Sequence, residues 1–194
     1  MFERFTKDAR AVVQDAMEQR ERSGARSVER EHLLLALLDR EASRTSFVLG
    51  ALGLTPERKE SVRQGLADAR RRAGLSQAES EALAGLGIDV TAIVARVEEA
   101  HGVGAMSGDR QRKEWWSDRR SFGRGAKDVL EKALRIAVGR RDRHIGDEHL
   151  LLALTVLPGT PGEVLADHGV THESVTRVLY GEGQGEAGGE AKAG

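Results

Sequence analysis

Glu31-His32-Leu33-Leu34-Leu35-Ala36-Leu37 and Glu148-His149-Leu150-Leu151-Leu152-Ala153-Leu154 are the same seven residues in the same order, 117 positions apart. Each run is too apolar all round for a surface helix and too rich in leucine, rather than β-branched residues, for a strand, so each predicts a buried helix. Moving outward at the same offset, Phe5 aligns with Phe122, Ala9 with Ala126, Val12 with Val129, Ala16 with Ala133 and Arg26 with Arg143. Ahead of the first run, Ala9, Val12, Val13, Ala16 and Met17 keep the i, i+3, i+4, i+7, i+8 spacing of an amphipathic helix over 7–23, with Thr6 as its N-cap. Ahead of the second run, Val129, Leu130, Ala133, Leu134 and Ala137 draw the same apolar face. An internal repeat of this kind predicts an all-α protein in which a duplicated four-helix unit forms one pseudo-two-fold domain.

Within the first unit a third helix is expected over 43–52, ending at Gly53, and a fourth begins with Thr55 as N-cap and Pro56 at its first position. The resulting division is a first repeat at 1–71, an inserted helical segment at 72–101, a basic and tryptophan-bearing linker at 102–120, a second repeat at 121–182 and a tail at 183–194. The insert reads Leu83-Ala84-Gly85-Leu86-Gly87-Ile88-Asp89 followed by Val90, Ile93, Val94 and Val97, a helical hairpin placed between the repeats. The Gly/Glu/Ala tail has too little apolar surface to offset the entropy of ordering it and is expected to be disordered.

Composition narrows the function classes. Among 194 residues, 39% are hydrophobic and 31% charged, with one Tyr, two Trp and four Phe, a balance that favours helices over an aromatic-rich β-sandwich. The absence of Cys excludes disulfides, thiolate metal sites and a cysteine nucleophile, and it fits a reducing compartment. No apolar run approaches the roughly 18 residues of a membrane span, and Met1 to Arg10 is too charged for a signal sequence, so a cytoplasmic protein with no membrane segment is expected. A net charge of -1 leaves no global attraction for nucleic acid.

Met1-Phe2-Glu3-Arg4-Phe5-Thr6 ahead of Ala9, together with the doubled Glu-His-Leu-Leu-Leu-Ala-Leu, resembles the Clp N-terminal repeat family, most of all its ClpC type, over roughly 1–66 and 122–180. In that family the domain docks adaptors and substrates for an ATPase-driven protease. No Gly-x-x-x-x-Gly-Lys-[Ser/Thr] loop is present here to hold nucleotide phosphates. The resemblance therefore implies a standalone, non-catalytic recognition module without a cofactor. Its expected partners are Clp ATPase and protease components, their adaptors or their substrates, and its expected role is that of an adaptor, decoy or sponge.

The resemblance also implies a binding site for phosphorylated arginine. A glutamate at the start of the second helix would face the guanidinium, and a threonine ahead of the first helix would lie near the phosphate. Carried over, Thr6 with Glu31 makes the first site, and Glu148 makes the second without a hydroxyl, because Gly123 stands in the threonine position. Asp147 is read as the N-cap of the second site's helix, and Arg30 replaces the family's capping threonine in the first. Favourable interaction with a helix N-terminus would justify either glutamate by itself. Actinobacterial relatives bind cyclic peptide antibiotics between the two first helices, where this chain has Phe2, Arg10, Phe122, Lys127 and Glu131. Two aromatic anchors among charges suit a peptide surface, and the same phenylalanines would also suit a seal between the halves.

Other chemistry finds little support. His32 and His149 each follow a glutamate directly, so neighbouring side chains diverge by about 100° around a helix instead of converging on a metal, and both histidines read as core residues. Ser107 and Ser121 belong to no nucleophile elbow. The segment from Arg110 to Arg120, with Trp115 and Trp116, offers a second reading as a single-stranded nucleic-acid contact, although Asp109, Glu114 and Asp118 dilute its charge.

Overall fold

The computed structural model describes residues 2–72, 77–101 and 122–181. Among these, a short 3-10 turn (Phe2–Arg4) leads into α1 (Lys7–Ser23), α2 (Arg30–Asp39), α3 (Arg44–Ala51) and α4 (Pro56–Arg71). The insert forms α5 (Gln77–Gly85) and α6 (Val90–His101), and the second unit forms α7 (Arg124–Gly139), α8 (Asp147–Val156), α9 (Thr160–Asp167) and α10 (His172–Tyr180). The linker 102–120 and the tail 183–194 lie outside the described residues. The protein is all-α in its described part, as the periodicity predicts.

Helix starts follow the capping logic of the sequence in the first unit. The Thr6 hydroxyl accepts from the Ala9 N–H, that of Ser43 from Ser46, and that of Thr55 from Arg58, with Pro56 at the first helical turn of α4. The starts of α2 and α8 differ from expectation: Glu29 and Gly146 are the N-caps, while Arg30 and Asp147 are the first helical residues. The cause is the histidine three places on. His32 Nδ1 accepts the Glu29 N–H at 2.8 Å and His149 Nδ1 accepts the Gly146 N–H at 2.9 Å, which fixes the cap at that residue.

The core is one cluster shared by both units. At its centre run α2 and α8, where Leu33, Leu34, Leu37 and Leu38 of the one and Leu150, Leu151, Leu152 and Leu154 of the other are all fully buried. Full burial of one leucine contributes about 1.5–3 kcal/mol, so these two helices supply a large share of the burial energy. No single helix among the described residues is long and apolar enough to cross a membrane; α8 is apolar because it is interior.

Two backbone junctions cross between the units. Phe5 forms a parallel bridge with Ile145, with Thr6 N–H donating to Ile145 O at 2.9 Å and Ile145 N–H to Arg4 O at 2.8 Å. The counterpart is a bridge between Val28 and Phe122, with Gly123 N–H donating to Val28 O at 2.9 Å. The start of α1 thus lies against the approach to α8, and the start of α7 against the approach to α2.

The hairpin of α5 and α6 rests on the first unit through few groups. Val94 is buried, Arg70 of α4 donates from Nε and Nη2 to the two oxygens of Glu98 at 3.2 Å each, and Arg26 donates to the carbonyl of His101. Leu86, Ile88 and Ile93 remain exposed on it.

Candidate functional site

Each crossed junction joins a helix N-terminus of one unit to a glutamate-bearing helix start of the other. Thr6 meets Ile145, three residues before Glu148, and Gly123 meets Val28, three residues before Glu31. The pairing of Thr6 with Glu31 expected from the sequence is therefore not the pairing that the backbone makes. The bridges set Thr6 beside the approach to Glu148, and Gly123 beside the approach to Glu31.

At the junction of Thr6 with Glu148, the carboxyl group of Glu148 is only 4% exposed. Its Oε1 accepts from Arg44 Nη1 at 2.8 Å, while Oε2 is buried and has no hydrogen-bond partner among the described residues. Burial pushes this carboxyl above the usual range, against the pull of its own backbone N–H, His149 and Arg44. Asp147 beside it accepts the Thr45 N–H at 2.8 Å, so an acid of α8 caps the first turn of α3 and holds Arg44 at Glu148. Gly146 leaves room for this carboxylate: a Cβ there would lie 2.0 Å from Glu148 Oε2 and would displace it. Tyr180 of α10 closes the neighbourhood under Arg140, which stacks 3.2 Å from its ring centroid.

The junction of Gly123 with Glu31 is filled differently. A Cβ on Gly123 would sit 2.1 Å from Glu29 Oε1, so the Glu29 carboxylate occupies the space that a threonine side chain would take at the N-terminus of α7. Ser27 Oγ donates to that carboxylate at 2.6 Å. Arg30 is spent on structure: it donates to Gly125 O, to Asp128 at 3.1 Å and to Pro158 O, binding α2 to α7 and to the loop before α9. Glu31 is 28% exposed, and burial raises its carboxyl, offset by the positive charge of Arg70 and reinforced by Glu98. Arg70 of α4 and Glu98 of the insert, paired with each other, thus both act on the first glutamate, an arrangement that the repeat pattern did not foretell.

His32 and His149 sit in the core as expected, each held at both ring nitrogens. His32 Nε2 lies 3.1 Å from Ser23 Oγ and His149 Nε2 lies 3.0 Å from Asp142 Oδ2, the first nitrogens being taken by the caps. Burial, with Arg70 and Arg20 nearby, lowers His32 to about 4. No group of three or more potential ligands is placed to hold a metal among the described residues.

Of the expected peptide surface, Phe2 opens the turn Phe2–Arg4, Arg10 and Lys127 are exposed on α1 and α7, and Phe122 is half-buried at the Val28 bridge and packs on the core. Glu131 is exposed and pairs along α7 with Arg135. The tryptophan linker proposed as a nucleic-acid contact lies outside the described residues, as do Ser107 and Ser121. Glu29, Arg44, Arg70 and Glu98 were missed by sequence reasoning. One signal was available: the 117-residue offset sets Thr6 against Gly123 and Glu29 against Gly146, so side chain and glycine alternate between the two junctions.

Known proteins resemble this chain in part of its sequence and in its fold. Residues 4–86 match the model of the Clp repeat (R) N-terminal domain. Over that stretch the chain is similar to a Clp repeat domain. The fold is that of the N-terminal domain of the caseinolytic-protease-associated chaperone ClpD from Arabidopsis thaliana, with a TM-score of 0.51 at 20% identity over 92% of this chain and 97% of that one. The Hsp104 N-terminal domain from Candida albicans aligns with a TM-score of 0.47 at 16% identity, covering 93% of this chain and 94% of its own. No curated protein matches the chain.

Proposed function

We propose that this protein is a non-catalytic, cytoplasmic module that binds peptide or protein segments for a Clp chaperone and protease system, and that the junction of Thr6 with Glu148 is where it grips an arginine-phosphorylated segment. The observation that carries this reading is Glu148, a buried carboxylate already engaged with a guanidinium at 2.8 Å and retaining one oxygen without a partner. A carboxylate in that setting favours a guanidinium over water, because two matched charge-assisted bonds offset its desolvation. The N-terminus of α1, with the Thr6 hydroxyl, supports the accompanying anion. Gly123 supports the assignment to this junction over the other, since Glu29 fills the equivalent anion position there. Adaptors, substrates and inhibitory cyclic peptides are the expected protein-side partners, the last through Phe2, Arg10, Phe122, Lys127 and Glu131.

Calorimetry with free phosphoarginine tests this. Heat of binding is expected with the parent protein, lost in Glu148→Gln and retained in Glu31→Gln. No heat in the parent protein would overturn the reading, and loss in Glu31→Gln alone would move the site to the other junction.

A further inference from the structure

Arg44 is unusual among the arginines of this chain in where its two ends sit. Its side chain is 61% exposed, yet its Nη1 bonds a carboxylate that is 4% exposed. The backbone of α3 does not depend on that bond. Thr45 is itself buried and its N–H is held by Asp147, so the start of α3 stays docked on α8 when the Arg44 side chain swings out. Glu148 Oε2 meanwhile is buried without a partner among the described residues, and points to a group that would complete the carboxylate.

We propose that Arg44 is a displaceable internal plug: its guanidinium occupies the Glu148 site and competes with the guanidinium of an incoming arginine-bearing ligand. This rests on the reading of Glu148 as a guanidinium receptor. The exchange is close to balanced, because one guanidinium replaces another on the same buried acid and no charge is left unpaired. Two differences favour the ligand. A fork placed squarely on the carboxylate reaches both oxygens, where Arg44 reaches one. The released Arg44 side chain also regains rotamer freedom in water. Against this stands the high effective concentration of a tethered group, which lowers apparent affinity by the fraction of molecules in the plugged state. The plug therefore protects Glu148 from free arginine while yielding to a ligand with additional contacts, such as a phosphoryl group at the α1 N-terminus.

The test uses the full chain with Arg44→Ala, and Arg44→Gln in case the alanine variant does not fold. Methylguanidinium is the probe, with methylammonium as its control, and thermal melting is the readout. Removing the plug is expected to lower the melting temperature, and methylguanidinium is expected to restore part of it in the Arg44 variants, not in the parent or in Arg44→Ala with Glu148→Gln. An arginine-phosphorylated peptide should bind Arg44→Ala about 10-fold more tightly than the parent, the size expected when a competing internal state of that population is removed. Methylguanidinium rescue without peptide binding to any variant upholds the plug and overturns the proposed capture of arginine-phosphorylated segments. Peptide binding that is equal in parent and Arg44→Ala, with no rescue, overturns the plug and leaves the proposed function standing. Equal rescue by methylammonium also overturns it, since a bare cation would then suffice.

Discussion

The two units share a core helix down to seven identical residues, yet their helix starts are built in opposite ways. On the α8 side, Gly146 leaves room, Glu148 folds into it and an exposed arginine from α3 bonds the acid. On the α2 side, Glu29 carries the side chain, Gly123 gives way to it, and Arg30 is locked into three contacts across the domain. Burial energy tolerates no drift in the leucine rows, whereas the helix N-termini need only some acceptor or anion, and the chain supplies one by two routes. Identity is kept where packing demands it, and divergence collects where several solutions satisfy the same amides.

The sharpest way to test the shared part is to cut it equally. Leu34→Ala and Leu151→Ala occupy equivalent, fully buried positions, and each should cost about 2–5 kcal/mol in chemical denaturation. Because one core serves both units, each variant should still unfold in a single transition; two separated transitions would show that the halves fold independently.

The histidines sharpen the comparison next. His32 leans on a serine hydroxyl and His149 on a carboxylate. His32 is lowered from 6.5 to about 4, so the unfolded chain takes up its proton more readily than the folded one. The stabilising contribution of the neutral ring is full above pH 6.5, falls as pH drops towards 4 and is constant below, a loss of about 3 kcal/mol at most. Glu31 and Glu148, raised by burial, favour the folded state on protonation and reduce the net fall. Denaturation across this range should show the loss in the parent and its absence in His32→Gln.

The smallest effect addresses the junctions themselves. Gly123→Thr restores the first unit's residue to the second, and its Cβ would collide with Glu29 Oε1, so a loss of about 1–3 kcal/mol is expected. Adding Glu29→Ala should recover most of it, measured as a coupling in a double-mutant cycle. Independent, additive losses would mean that Glu29 and Gly123 are not one unit.

Helix positions were legible because apolar residues at helical spacing and capping residues ahead of them leave a periodic trace; Lys7–Ser23 and Pro56–Arg71 follow directly from Val12, Ala16, Thr55 and Pro56. The repeat made the architecture legible through Glu31 to Leu37 and its copy. The sites were half legible. Glu148 stands out by its place in the repeat, but an offset reports equivalence within units and says nothing of proximity between them. That is why Thr6 was matched to Glu31 when the backbone sets it beside Ile145. Arg44 and Glu98 are single charges on short helices, and no spacing rule marks which acid or base they will meet.

Because Phe5 bridges Ile145 and Val28 bridges Phe122, each unit completes the other, as two subunits do around a two-fold axis. The domain has the geometry of a homodimer whose chains were joined end to end. In a true homodimer every substitution appears at both junctions at once, so a glutamate that fits only opposite glycine would have to abandon threonine at both. Fusion into one chain lifts that constraint. It allows one junction to specialise in holding the molecule together while the other remains open to exchange.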